Sequence, residues 1–265
     1  MISALLYDLN HAPIWRRRIR VWGHPIRAAS LDRFVFLALH RAGLMGKEEV
    51  WLLEKLVEPG MQILDVGANI GLYTVLLARL TGEAGRVFAF EPEPNLFSLL
   101  CENCAANEEL NVTPFQCAAG NANGRATFQR ATFNSGDNRL GASKPGAHSI
   151  EVEVVRLDEV LPMRTVQFIK LDVQGHELAA LSGMQQVLAS SPDVRVLFEF
   201  WPAGLRAANA SPELLFKFFH ERGFVIYELE KGQARKLDML ASLVSKLGAK
   251  RYTNLLASRT PLFTL

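Results

Sequence analysis

The segment Asp65-Val66-Gly67-Ala68-Asn69-Ile70-Gly71 joins an acid, two glycines and a short polar turn where an apolar strand hands over to a helix. Glycine has no Cβ, so at Gly67 and Gly71 the backbone can turn tightly and a ligand can approach it closely. The following helix aims its free N–H groups and positive dipole end at the same spot, which suits a carboxylate or phosphate. Glu91 comes twenty residues after Gly71, at the end of a second apolar strand. A carboxylate there can accept hydrogen bonds from both hydroxyls of a ribose. A nucleotide-like ligand is indicated. A dinucleotide would call for G-x-G-x-x-G, but Asn69 and Leu72 stand where the second and third glycines belong. A ligand with no pyrophosphate, but with a cationic sulfonium and an amino-acid tail, needs an acid near the turn, here Asp65, and a short glycine loop. S-adenosylmethionine has those features.

The elements that must hold these residues follow from the pattern along the chain. Met61–Val66 reads as a strand, Ile70–Leu80 as a helix, Arg86–Phe90 as a second strand, Pro94–Asn107 as a helix and Val112–Cys117 as a third strand. Strands alternating with helices predict a parallel sheet covered on both faces. The alternation then pauses: Ala126–Ala131 and Ile150–Arg156 read as strands around a polar, glycine-rich stretch expected to be a mobile loop, 132–149. It resumes with a strand at Val166–Leu171, a helix at Glu177–Ala189, a strand at Val194–Phe200 and a helix at Pro212–Arg222. Strands at Phe224–Leu229 and Tyr252–Ala257, separated by the basic, helix-compatible stretch Lys231–Lys250, complete an α/β, doubly wound, Rossmann-like sheet. Ahead of it, helical spacing from Leu31 to Val57 predicts an N-terminal helical arm, 1–57, leaving 58–265 as the catalytic-sized domain.

Three stretches together resemble the FkbM-like family of S-adenosylmethionine-dependent methyltransferases: Ile63–Thr74, then Phe90-Glu91-Pro92-Glu93-Pro94, then Ile169-Lys170-Leu171-Asp172-Val173-Gln174-Gly175-His176-Glu177-Leu178. The likeness runs from about Gly46 to the terminal Tyr252–Ala257. The first stretch is shared by many methyltransferases, whereas its combination with the third is far more specific. The resemblance implies a seven-stranded, mostly parallel sheet whose last strand is antiparallel, the class I methyltransferase fold. It also implies methyl transfer, usually to a hydroxyl of a sugar or secondary metabolite. The family commonly has Glu where this chain has Gln174, so a role needing charge there is in question. An acid near the cofactor, at Glu48 or Glu49, is implied as well.

On this reading the cofactor-binding candidates are Asp65, Gly67, Ala68, Asn69, Gly71, Tyr73, Thr74, Glu91, Pro92, Ala118 and Asp172. Tyr73 and Thr74 begin the first helix beside the methionine moiety, with core packing the alternative for Tyr73. Ala118 closes the third strand, where backbone N–H groups can meet an adenine edge. Methyl transfer is an in-line displacement, so the protein must align the nucleophile, exclude water and remove the acceptor's proton. Asp172 and His176 are the catalytic candidates, with helix capping the alternative for His176. Glu177, Glu199 and Trp201 are candidate acceptor contacts. Asp172, Glu177 and Glu199 could jointly hold a divalent ion, but no histidine cluster accompanies them and no metal is assigned. N-methylation of an amide or amine on a peptide, and a cofactor-binding module without chemistry, remain the alternative readings.

Composition sets the outer bounds. The chain has 265 residues, 49% of them hydrophobic and 21% charged, which excludes disorder as the main state. Lys+Arg 29 against Asp+Glu 27 excludes a strongly basic nucleic-acid binder. The run Arg16-Arg17-Arg18-Ile19-Arg20 is the local exception, expected as a solvated edge or arm. Three cysteines, with Cys101 and Cys104 on one helix face, fit packing in a reducing compartment and a cytoplasmic location. The start is too short and uncharged for a signal peptide, and no apolar run reaches the ~20 residues that span a bilayer. The expected partner is a small-molecule or peptide acceptor.

Overall fold

In the computed structural model, residues 18–28, 47–108, 111–130, 138–141, 148–230, 233–248 and 251–262 are described. A hairpin opens this set: β1 (Ile19–Val21) and β2 (His24–Ile26) pair antiparallel around Trp22-Gly23. Helix α1 (Lys47–Leu56) follows, and then β3 (Gln62–Val66), α2 (Leu72–Thr81), β4 (Arg86–Phe90), α3 (Pro94–Ala106) and β5 (Val112–Phe115). Four strands come next: β6 (Ala118–Ala119), β7 (Gly124–Arg130), β8 (Arg139–Leu140) and β9 (His148–Val155). The chain continues through α4 (Leu157–Val160), β10 (Phe168–Leu171), α5 (Glu177–Ser182), α6 (Gln185–Ala189), β11 (Arg195–Phe200), α7 (Pro202–Ala207) and α8 (Pro212–His220). It closes with β12 (Val225–Glu230), β13 (Gln233–Lys236), α9 (Leu240–Leu247) and β14 (Thr253–Ser258).

The main sheet has the order β13-β12-β14-β11-β10-β3-β4-β5. The five strands from β11 to β5 are parallel, and β14 runs antiparallel between β11 and β12. The antiparallel last strand and the alternation behind it therefore match the sequence expectation. The sheet has eight strands rather than seven, because Gln233–Lys236 adds an edge strand paired to β12. The chain winds outward from β3 through β5, then returns to lay β10 on the other side of β3. That reversal leaves a crevice at the carboxyl ends of β3 and β10, the place where open α/β sheets bind ligands.

Nearly every residue of β3, β4, β10 and β11 is buried, because helices cover both faces. On one face Leu52, Leu53 and Leu56 of α1 pack over Ile63, Phe168, Leu197 and Leu256. On the other, Leu64, Val66, Ile169, Leu171, Val196 and Phe198 meet Leu181, Leu188, Leu215 and Phe219. The hairpin packs Val21 and Ile26 against Ile70, Val75 and Leu100. Asn103 ties it down, giving its amide to the Arg27 and Ile70 carbonyls at 2.9 and 2.7 Å and accepting from the Arg27 N–H at 2.8 Å.

Several local expectations change. The single helix expected over Glu177–Ala189 is two helices, because Gly183 packs on the Gly120 backbone so closely that a Cβ would lie 1.9 Å from the Gly120 carbonyl oxygen. Asp158 then caps α6 from outside, accepting from the Gln186 and Val187 N–H groups at 3.1 and 3.0 Å. The third strand ends at Phe115, and the chain crosses into a second, four-stranded sheet of order β6-β9-β7-β8. Most of the expected loop 132–149 lies outside the described residues, but Arg139–Leu140 forms β8 on β7, and β9 already begins at His148. Residues 31–46 of the expected arm helix, and Arg16 and Arg17, also lie outside them. Arg18 and Arg20 are exposed. Among the described residues no helix is long and apolar enough to cross a membrane.

Candidate functional site

The loop between β3 and α2 takes three left-handed residues in five: φ is +87° at Gly67, +51° at Asn69 and +82° at Gly71. Each glycine is required by a close approach. A Cβ on Gly67 would sit 1.9 Å from the carbonyl oxygen of Asp172, and one on Gly71 would sit 2.7 Å from Leu100 Cδ1 of α3. The Gly67 and Ala68 N–H groups donate to the Phe90 carbonyl at 3.0 and 2.9 Å, clipping the loop to the end of β4. Glu91 stands at that junction, accepting from the Asn69 N–H on Oε2 at 2.8 Å and from the Glu93 N–H on Oε1 at 2.9 Å. Each oxygen keeps a second lone pair for a ligand hydroxyl. Burial outweighs those two bonds and pushes Glu91 up to about 8. Pro92 is half-buried between Glu91 and Glu93. Glu93 caps α3 by accepting from the Leu96 N–H at 2.7 Å and pairs with Arg130 of β7.

Asp65 lies beneath the loop rather than in it. It is fully buried, with Oδ2 accepting from the Thr74 hydroxyl at 2.6 Å and Oδ1 finding no hydrogen bond, 4.0 Å from Lys170 Nζ. Burial raises its proton affinity, while Lys170 and Thr74 work the other way.

Register builds the rest of the site. Lys170 of β10 is paired with Asp65 of β3 on one side and Leu197 of β11 on the other, and Glu199 of β11 is paired with Asn254 of β14. Side chains two apart on a strand share a face, so Asp172 and Glu199 extend this polar set past the apolar residues under α1. Lys170 Nζ is 3.3 Å from Asp172 Oδ2 and 4.7 Å from the centre of the Tyr73 ring. Burial opposes its charge, but Asp172, Asp65 and Glu199 outweigh that and hold it above the ordinary lysine value. Gln174, left-handed at φ +52°, gives its amide to Asp172 Oδ1 at 2.9 Å and to Glu199 Oε2 at 2.8 Å. A neutral donor therefore bridges two acids at this position, where a glutamate would add a third. Desolvation first, and then the charges of Asp172 and Glu177, push Glu199 well above the usual carboxylate range. A small pocket opens among Glu49, Tyr73, Lys170, Asp172, Glu199 and Asn254, with Asn254 donating to Glu49 Oε1 at 2.8 Å across its rim.

The remaining candidates are placed elsewhere. Glu177 turns inward, fully buried, and accepts from the Gly175 N–H at 3.0 Å, so it does not line the pocket. Burial pushes it to about 7. His176 starts α5 without a side-chain cap bond, and its Nδ1 is buried without a partner. Burial and then Arg139 lower its pKa. Trp201 also buries an unpartnered Nε1, with the Arg139 guanidinium 5.4 Å from its ring centre. Neither His176 nor Trp201 borders the pocket around Asp172 and Glu199. Ala118 belongs to the second sheet, packed with Phe128 and Val152. Among the described residues, no three or more His, Cys, Asp or Glu side chains are grouped to share a metal ion. Sequence reasoning passed over Lys170 and Asn254, although both stood inside quoted motifs. The signal for Lys170 was its spacing of two from Asp172 on a strand.

The methyltransferase FkbM domain family matches residues 65–226. The hexuronic acid methyltransferase AglP of Haloferax volcanii is 30% identical over 152 residues, 56% of this chain and 60% of that protein. The 31-O-demethyl-FK506 methyltransferase FkbM of Streptomyces tacrolimicus is 30% identical over 171 residues, 52% of this chain and 64% of that one. The chain thus spans less than two thirds of these two relatives. Among solved structures, a protein described as an rRNA methylase of Clostridium thermocellum superposes over 82% of this chain and 96% of its own, at TM-score 0.51 and 11% identity, a likeness of fold.

Proposed function

The chain belongs to the FkbM methyltransferase family, an S-adenosylmethionine-dependent enzyme family of the Rossmann-like fold, and from that premise we propose that it methylates a hydroxyl oxygen of a small sugar or secondary-metabolite acceptor. The observation that carries this reading is the contact of Gly67 with the Asp172 carbonyl. It sets the glycine loop directly against the acidic pocket, so a group held over the loop lies beside Asp172 and Glu199. The relative named for the 31-O position of FK506 supports an oxygen acceptor, and the one named for a hexuronic acid supports a sugar-acid acceptor.

The residues present fit the cofactor. Gly67 and Gly71 hold a side-chain-free loop tight against Asp172 and Leu100, and Glu91 sits at the end of β4 with lone pairs to spare. Gly67, Ala68, Asn69 and Gly71 would cradle the cofactor, Glu91 and Pro92 would border its ribose, and Tyr73 would cover its methionine end. Asp65 and Thr74 hold the loop from below and fix Lys170. When bound, S-adenosylmethionine supplies an electrophilic methyl group on a cationic sulfur. The chain's own work is to align the acceptor oxygen, keep water out through α1 and Tyr73, and take the proton that the oxygen loses. Incubation with methyl-labelled S-adenosylmethionine and a panel of uronic acids and polyol metabolites tests the reading. Label on an acceptor oxygen is expected, and label confined to nitrogen would overturn it.

A further inference from the structure

The pocket contains two carboxylates that face the same amide and differ in what else they touch. Asp172 has both oxygens engaged, Oδ1 by Gln174 and Oδ2 by Lys170. Glu199 accepts only from Gln174, on Oε2, and its Oε1 accepts no hydrogen bond among the described residues while the side chain borders the pocket. His176 lies off that pocket. Resting on the methyltransferase reading, we propose that Glu199, rather than Asp172 or His176, is the proton acceptor for the acceptor hydroxyl, and that it becomes ionised when the cationic cofactor arrives.

The charge balance explains why a buried glutamate suits this task. The O–H bond of the acceptor breaks and its proton goes to Glu199 Oε1, while the oxygen lone pair forms the O–CH3 bond and the C–S pair returns to sulfur. A cation and a carboxylate become a neutral thioether and a neutral acid, so the closed site keeps the same net charge throughout. The groups around Glu199 are Lys170 of β10, Asp172 and Gln174 in the turn after it, Glu177 of α5, Glu49 of α1, Tyr73 of α2 and Asn254 of β14. Burial first, and then the charges of Asp172 and Glu177, favour the protonated form of Glu199 in the free protein, and a nearby positive sulfur would displace that proton.

The test needs no acceptor, because S-adenosylmethionine and S-adenosylhomocysteine differ in this region only by the charged methyl sulfonium. Calorimetric titration of both against the full chain between about pH 5.5 and 7.5 should show the ratio of their affinities moving in favour of S-adenosylmethionine by up to tenfold per pH unit, the limit for release of one proton. Contributions from Glu91 cancel in the ratio, since both compounds carry the same ribose. Glu199→Gln should remove the slope while still binding S-adenosylhomocysteine. Gln174→Leu, which withdraws the donor favouring the ionised form, should move the end of the slope to higher pH. A flat ratio in the wild type, an equal slope in Glu199→Gln, or an unmoved end point in Gln174→Leu would overturn the proposal. Failure of both compounds to bind the wild type would instead overturn the cofactor reading beneath it.

Discussion

Replacing Gly67 by alanine separates two costs that the structure assigns to one residue. Gly67 and Gly60 have nearly the same φ, +87° and +89°, but an added Cβ meets no heavy atom within 4 Å at Gly60, whereas at Gly67 it falls 1.9 Å from the Asp172 carbonyl oxygen. Gly60→Ala should therefore cost only the left-handed conformation, about 1–2 kcal/mol. Gly67→Ala adds a backbone collision that needs a shift of more than ~1 Å between two buried strand ends, and with overpacking costs of ~1–3 kcal/mol the sum is about 2–5 kcal/mol. At roughly 2–4 °C per kcal/mol for a chain of this size, the control should lose about 2–8 °C and Gly67→Ala about 4–20 °C. Differential scanning fluorimetry on both, beside calorimetric binding of S-adenosylhomocysteine, reads the two effects. Because the collision displaces Asp172, Gly67→Ala should also weaken binding at least tenfold while Gly60→Ala leaves it within twofold, a free-energy difference of about 1.4 kcal/mol. Equal losses of melting temperature and unchanged affinity in both variants would refute the argument that the loop and the acidic pocket are one packed unit.

Three further outcomes follow from the same contacts. Asn103→Ala should destabilise by about 2–4 kcal/mol in denaturant titrations, because it leaves buried groups of Arg27 and Ile70 without partners. Lys170→Met should cost about 3–5 kcal/mol by stranding the fully buried Asp65, and a second change, Asp65→Asn, should recover part of that loss in the same titration. Glu91 and Glu177 carry folded-state pKa values of about 8 and about 7 against an ordinary 4.5, so the folded state binds more protons than the unfolded one between those limits. Their contribution is fully present below about pH 4.5 and is lost as pH rises toward 8. The melting temperature of the ligand-free protein should fall over that window, and less steeply in Glu177→Gln.

The sequence made the sheet and its loop legible because those signals are local. An apolar run that ends in Asp65-Val66-Gly67, followed by a helical period, is readable without knowing what it packs against, and the acid at Glu91 is found by counting. What was not legible depends on register across strands that are distant in the chain. Lys170 sits beside Asp65 only because β10 returns to lie next to β3, and Glu199 meets Asn254 only because β14 inserts between β11 and β12. His176 shows how the local turn decides where a side chain ends up. Its residue type invites a catalytic role, but after the left-handed Gln174 and Gly175 it does not border the pocket, while Gln174, two residues earlier, bridges both acids. Glu177 likewise faces inward because the Gly175 N–H needs an acceptor there.

The most direct test of the account is a crystal structure of the chain with S-adenosylhomocysteine bound. The ribose hydroxyls are expected on Glu91, the adenosyl group over Gly67–Gly71, and the sulfur facing the pocket of Asp172 and Glu199. A ligand seated elsewhere, or a Glu91 carboxylate still bonded only to the Asn69 and Glu93 backbone, would contradict it.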